Sequence, residues 1–486
     1  MVVLLNPSSF PWGTIHRFFL FILMLLGLAI PQAFSVESSQ SDRKLQKCET
    51  CLTSSFSDLA QGDEGESVLV EKLIFRGLNR TDPAWLASVL GLNVPCLLPR
   101  IELEPLRRRI LSIRIFSSAQ VEFFGEKKSG SVDTFAVPSE GGTLQITVEE
   151  KWTFIPVLRG QFGGGTPLWV LGAYETNLFG KGLSVGLDIR RYGRAPIGYM
   201  IFAKNHDALG RGYFFGGEFR NYYRIRTLYD VRGKRDQEFR ADEWTERAKM
   251  LWPESFQGLR SGVDLRSTRY VLTKLPLSFG EGSLLEPRFR LQSGIFTRLA
   301  YVMETDKISV DNALMDGMKW EGLFGLTSSS EDTGPSLAFE SNVFYYKWLG
   351  ESWNLGLHLF AVGSESMAYG AKTFLGGLDS IRGIPDGEIY GSKAAYANSE
   401  LSYLLLRRHR FWVQGAVFAD LGAAHDDWDK LDARFSFGTG LRFSIPQVYR
   451  FMFRVDYAVS PLPYRTESLS VGMNAFFQPH RPNLID

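Results

Sequence analysis

From Lys151 onward the chain is written in period two, and that alternation narrows its possible folds more than any other feature. Leu183, Val185, Leu187 and Ile189 interleave with Ser184, Gly186, Asp188 and Arg190. Phe435, Phe437, Leu441 and Phe443 interleave with Ser436, Gly438, Gly440 and Arg442, and Phe451, Phe453, Val455 and Tyr457 with Met452, Arg454 and Asp456. The pattern returns in Leu469, Val471, Met473 and Ala475 against Ser470, Gly472 and Asn474. Successive side chains of a strand point to opposite faces, so each segment has one aliphatic or aromatic face and one polar face. About sixteen such segments are separated by turns, and a closed antiparallel barrel of bacterial type takes an even number. A soluble β-sandwich gives the same alternation with its polar face outward. The 14% aromatic content and 48 glycines suit a barrel wall, with rings in interfacial girdles and glycines relieving crowding.

The N-terminal third reads differently. Phe18 to Ile30 is a continuous apolar run of 13 residues behind His16 and Arg17, followed by Ala33-Phe34-Ser35. It falls short of the roughly 20 residues of a spanning helix and reads as a secretory signal over residues 1–35. No later run is long enough to span as a helix, so membrane crossing would fall to strands whose backbone groups pair with one another. Residues 36–66, rich in Ser, Gln and Asp, read as an exposed linker. Cys48 and Cys51 lie there, two of three cysteines in the chain. Their spacing suits a redox motif or half a zinc site, yet a second ligand pair and a βαβ context are missing. In an exported chain the expectation is a local Cys48–Cys51 disulfide.

Over residues 67–150 the pattern predicts a strand from Val68 to Phe75 and a turn at Gly77. Thr81-Asp82-Pro83 then opens a helix from Ala84 to Leu90, closed by Gly91. A second helix is predicted from Glu102 to Ile113, and strands from Phe116 to Phe124 and Thr143 to Glu150. The net charge of +1 offers no field for nucleic acid, which is not expected as a partner. Gly-x-Ser-x-Gly, His-Glu-x-x-His, P-loop and complete zinc patterns are all absent from the sequence. No catalytic residue, metal site or cofactor is expected, and the six histidines read as lumen or loop residues, with His425 in a loop.

Three segments carry a resemblance. Gly376-Gly377-Leu378-Asp379-Ser380-Ile381-Arg382-Gly383 precedes Asn398-Ser399-Glu400-Leu401, and Phe418-Ala419-Asp420-Leu421-Gly422 follows. With Asn177-Leu178-Phe179-Gly180-Lys181-Gly182-Leu183 near the start of the alternating region, they resemble the signature of the outer-membrane insertase superfamily. That superfamily includes BamA, TamA, two-partner-secretion transporters and the barrel half of patatin-linked members, and the resemblance runs from about residue 68 to 477. It implies an all-β transmembrane β-barrel of about 16 antiparallel strands over residues 151–477. It also implies one N-terminal periplasmic POTRA domain, of order β-α-α-β-β, over 67–150, and a C-terminal tail over 478–486.

The resemblance further implies a loop folded back into the barrel, its Arg382-Gly383 tip locked against Glu400 and Asp420. Where the superfamily has an aromatic after Arg-Gly, this chain has Ile384. Parity supports the same pairing. With Val413, Val417, Ala419 and Leu421 outward, Gln414, Phe418 and Asp420 face the lumen, and with Ala397, Leu401 and Tyr403 outward, Asn398, Glu400 and Ser402 do. A guanidinium suits such a place because it keeps its charge and presents a planar fork of donors to carboxylates.

The function implied is a non-enzymatic outer-membrane protein that assists insertion or assembly of other outer-membrane proteins. Client strands would pair at a weak lateral seam between the first strand, marked by Phe154, Gly163 and Gly164, and the last, marked by Val471 and the terminal aromatic Phe477. Phe116, Val121 and Phe123 mark a client-pairing edge in the POTRA domain. Partners are unfolded outer-membrane or secreted polypeptides, the lipid bilayer and periplasmic accessory proteins; the location is the bacterial outer membrane with the POTRA domain in the periplasm. An alternative is a translocation pore for one dedicated secreted partner, with lumenal Arg190, Arg442 and Arg454 facing the passing chain. A passive channel or structural outer-membrane protein is the third reading.

Overall fold

The computed structural model describes residues 67–99, 103–113, 115–125, 141–163, 166–205, 212–230, 233–253, 258–275, 289–311, 314–377, 380–408, 411–445 and 452–473. They form two compact units. One holds the described residues up to Ile155 together with Glu175–Val185 and Ala203–Gly217, and the other holds the remainder.

The first unit contains β1 (Ser67–Arg76), α1 (Pro83–Leu90), β2 (Cys96–Pro99), α2 (Leu103–Ser112), β3 (Phe116–Gly125) and β4 (Gly141–Glu150). Its sheet runs β2-β1-β4-β3, with β1 parallel to β4 and the other neighbours antiparallel. Asp82 caps α1 by accepting the N–H groups of Ala84 and Trp85, Pro83 occupies the first turn, and Gly91 ends the helix at φ +69°. Leu86 and Leu90 of α1 and Leu106 and Ile110 of α2 are buried in one core with Val70, Phe116, Leu144 and Ile146 of the sheet. The element order is thus β-α-β-α-β-β and not β-α-α-β-β. Strand β2 has four residues, follows Pro95 and ends in Pro99, which reads as loop from sequence; an outer strand tolerates the lost donors. Cys96 on β2 is disulfide-bonded; Cys48 and Cys51, for which a local bridge is expected, lie outside the described residues.

The same unit explains the Asn-Leu-x-Gly-Lys-Gly stretch. Asn177 Nδ2 donates to Thr81 Oγ1 at 2.9 Å, Gly182 N–H donates to Asn177 Oδ1 at 2.8 Å, and Asp82 N–H donates to the Gly180 carbonyl at 3.0 Å. A Cβ on Gly180, at φ +71°, would lie 2.2 Å from the Arg80 carbonyl oxygen, and one on Gly182 would lie 2.3 Å from the Trp85 ring. The stretch is a turn shaped to the start of α1, and only glycine fits both approaches.

The remaining long strands form a closed antiparallel barrel of sixteen. They are β5 (Phe154–Phe162), β6 (Leu168–Leu178), β7 (Leu183–Tyr192), β8 (Gly198–Asn205), β9 (Phe214–Tyr229), β10 (Arg235–Leu251), β11 (Leu259–Leu275) and β12 (Gly294–Asp306). After the three-residue β13 (Ser309–Asp311) come β14 (Leu314–Ser329), β15 (Ser336–Leu349) and β16 (Trp353–Ser364). A small hairpin, β17 (Thr373–Leu375) and β18 (Ile389–Gly391), interrupts the wall before β19 (Lys393–Arg407), β20 (Trp412–His425), β21 (Asp432–Ser444), β22 (Met452–Leu462) and β23 (Thr466–Met473). His425, expected in a loop, ends β20.

The barrel inverts the usual distribution of polarity. Leu187, Leu265, Leu299, Phe324, Val417, Leu421, Leu441 and Leu469 are exposed, while Asp188, Asp264, Asp420, Arg442, Arg454 and Asp456 are buried. No helix among the described residues is long and apolar enough to cross a membrane. The closure between β23 and β5 rests, among the described residues, on the pairs Val471–Phe162 and Gly472–Gln161. By contrast β10 and β11 pair without interruption from Glu238–Leu275 to Leu251–Gly262.

Candidate functional site in the barrel lumen

The loop between β16 and β19 brings Arg382 to the inner wall, where its side chain is fully buried. Its backbone N–H donates to Asp420 Oδ2 at 3.0 Å, Nε to the same oxygen at 2.8 Å, and Nη2 to Asp420 Oδ1 at 2.8 Å. Nη1 donates to Glu400 Oε2 at 2.8 Å. The fork is therefore bidentate on Asp420 and bridges to Glu400, and the guanidinium lies 3.5 Å above the Phe418 ring centroid. Period two accounts for the Phe-Ala-Asp-Leu-Gly wording. Phe418, Asp420 and Gly422 all face the lumen: the first lies under the cation, the second pairs with it, and the third makes room. A Cβ on Gly422 would sit 2.5 Å from Ile381 Cδ1.

The loop tip is held by further contacts. Asn398 Nδ2 donates to the Ser380 carbonyl at 2.6 Å, and Thr466 Oγ1 donates to the Gly383 carbonyl at 2.8 Å. Gly383 has φ +91°, and a Cβ there would lie 3.2 Å from Ala458 Cβ and 3.3 Å from Ser436 Cβ. Small wall residues thus receive a small tip. Ile384 is buried in a cluster with Leu375, Ile381 and Ile389 of the loop and Ala394 and Ala424 of the wall, so an aliphatic side chain fills the position after Arg-Gly.

The ionic cluster extends past the two acids read from sequence. Arg442 donates to Glu400 through Nε at 3.2 Å and Nη2 at 2.8 Å, and through Nη1 to Asp456. Arg454 Nη1 donates to Asp456 Oδ2 at 2.7 Å. Three arginines, 382, 442 and 454, face three carboxylates, 400, 420 and 456, so the cluster is neutral overall. Arg442 and Arg454 are consequently committed to these acids, and Arg190 is committed to Asp188 at 2.7 Å; none is a bare cation facing a passing chain. Room for the cluster comes from Gly440, where a Cβ would lie 2.2 Å from Asp456 Oδ1.

A second attachment holds the other arm of the loop. Tyr369 donates to Glu243 Oε1 at 2.7 Å, and its ring lies 5.2 Å from Tyr270 and 6.0 Å from Phe239. Phe374 stacks on Tyr390 at 5.2 Å and sits 4.3 Å below the Arg226 guanidinium. Glu388 accepts from Arg434 Nε at 2.6 Å. The loop is thus fixed to β9–β11 at one arm and to β19–β23 at the other. Sequence reasoning did not find this aromatic anchor, whose members are scattered over five segments.

The other expected positions fall as follows. Val471 pairs with Phe162 at the closure, and Gly163 follows β5 directly at φ +135°. Phe154 opens β5 and is exposed, with no register partner on β23 among the described residues. Gly164 and Phe477 lie outside the described residues. Strand β3 is terminal in its sheet; Phe116 is buried in the core, with Val121 and Phe123 packed on it, so what β3 leaves open is backbone and not these side chains. No group of three or more His, Cys, Asp or Glu among the described residues is placed to hold a metal ion.

Solved structures share this fold. BamA from Haemophilus ducreyi lacking POTRA domains 1-3 matches with a TM-score of 0.55 and 14% identity, over 84% of this chain and 85% of that one. CdiB from Acinetobacter baumannii matches at 0.58 and 11% identity over 84% and 74%, and CdiB from Escherichia coli at 0.53 and 12% over 97% and 100%. No family model and no curated protein sequence matches the chain. The fold class is that of the BamA and CdiB barrels.

Proposed function

We propose that the chain is a member of the outer-membrane insertase superfamily, with its N-terminal unit serving as a single periplasmic POTRA domain and its barrel set in the outer membrane. The exposed aliphatic belt and the buried charges support that setting, because a barrel in lipid carries its apolar residues outside and its charges in the lumen. Its role is to assist insertion or assembly of other outer-membrane proteins without catalytic chemistry. The observation that carries this reading is the closure between β23 and β5, paired at two positions among the described residues, against the uninterrupted ladder of β10 and β11. Unpaired strand edges template incoming strands and lower the cost of exposing client backbone to lipid. The Arg382 cluster and the aromatic anchor keep the wall rigid around the loop while the closure opens.

The reading is tested with Phe162→Cys/Val471→Cys, whose backbones are in register. Oxidation should lock the closure, leave the barrel folded, and abolish insertion of an unfolded barrel client into proteoliposomes, with recovery on reduction. If the oxidised protein still inserts clients, lateral pairing is not its mechanism. Undiminished passage of a secreted partner through the locked barrel would support translocation instead.

A further inference from the structure

We infer that the wall opposite the Arg382 cluster holds an oxyanion-binding site centred on Arg266. The register places Arg247 of β10 directly opposite Arg266 of β11, and Arg266 directly opposite Arg298 of β12. All three belong to the lumenal parity of their strands, alongside buried Lys249, Asp264 and Ala300. Like charges directly across a ladder are unfavourable unless something neutralises them. The outer two are neutralised within the wall. Arg247 Nε lies 2.6 Å from Asp264 Oδ2, and Arg298 Nη1 lies 2.5 Å from Glu340 Oε2. Arg266 makes no hydrogen bond or ion pair among the described residues, and its Nε is buried without an acceptor. Its charged neighbours include Arg220, Arg298, Arg247 and Glu340, and Arg220 is itself 3.5 Å from Glu218.

A guanidinium in this position has free donors in a planar fork and a charge that no carboxylate is paired to among the described residues. The ligand that answers both is a phosphate or carboxylate oxyanion, bound bidentately. Two sources offer that chemistry: a dissolved phosphate, and the side chains of an acidic peptide in the lumen. The site makes use of residues that neither the loop lock nor the closure employs.

The test uses the full chain folded in detergent, with the unfolding midpoint read by the shift in gel mobility on heating. Inorganic phosphate should raise the midpoint by about 2 °C or more over chloride at equal ionic strength, through preferential binding to the folded state. Arg266→Gln should lose that rise, and the rise should be retained in Arg407→Gln. A soluble oligoglutamate at matched charge forms a second arm, and a response to it without one to phosphate assigns the site to acidic peptide. If Arg266→Gln does not fold, Arg266→Lys should still fold and should need about threefold more anion for the same rise, a point charge replacing a fork. No anion-specific rise in the native chain, or an identical dose–response in the Arg266 variants, overturns the site.

Discussion

Arg382 donates three hydrogen bonds to Asp420 and one to Glu400, and its buried guanidinium stacks on the Phe418 ring. Removing it leaves Asp420 buried without its cation while Glu400 keeps Arg442, and breaking a buried pair in this way typically costs about 3 to 5 kcal/mol. Arg382→Ala is therefore expected to lower the midpoint of heat-modifiability and open the loop to protease. Arg407→Ala, whose guanidinium lies over the Trp412 ring, should do neither. Arg382→Lys should rescue in part. In a double-mutant cycle Arg382→Ala and Asp420→Asn should deviate from additivity by about 0.5 to 3 kcal/mol, since both break one network. Strict additivity would mean that the two side chains do not act together.

The turn between β1 and α1 is the element whose stability responds to acid. The Glu150 carboxylate at the end of β4 accepts the N–H groups of Arg80 at 2.9 Å and Thr81 at 2.8 Å. Burial works to raise this carboxyl, but the hydrogen bonds from Thr81 and Arg80 outweigh it and hold it below the usual carboxylate range. A depressed carboxyl stabilises fully above its unfolded-state range, and that stabilisation is lost as pH falls through the folded value. Resistance of the N-terminal unit to an acid-active protease should thus be level from neutral pH to the ordinary carboxylate range and then decline. Glu150→Gln should be weaker at neutral pH and lack this part of the decline. Superimposable profiles for the two proteins would refute the assignment.

At the scale of the whole molecule, the apolar exterior and charged interior predict behaviour that a soluble sandwich would not show. A closed barrel satisfies its backbone groups internally and carries Leu265, Leu299, Phe324 and Leu441 on its outer face, which the proposed membrane setting would place against lipid. The protein should require detergent for extraction and should migrate faster on gels before heating than after. Recovery in a detergent-free soluble fraction, with no mobility shift, would remove the membrane setting and every role built on it.

What the sequence determined by itself was local and periodic. Period two assigned strand residues to one face or the other, and this suffices to put Glu400 and Asp420 on the same side of the wall, while Arg382, on a loop, was brought to them by the family resemblance alone. The Asp82-Pro83 cap and Gly91 marked α1 because a helix end is a matter of a few adjacent residues. Parity says nothing of register between distant strands, and there the tertiary structure decided. It set Arg442 and Arg454 onto Glu400 and Asp456, gathered Tyr369, Tyr270 and Phe239 from distant segments, and aligned Arg247, Arg266 and Arg298 in one row. It also gave Gly383, Gly422 and Gly440 their purpose, since the space a glycine leaves is defined only by what packs against it. Short β2, bounded by prolines, became a strand because β1 offered it an edge, an interaction that no window of neighbouring residues contains.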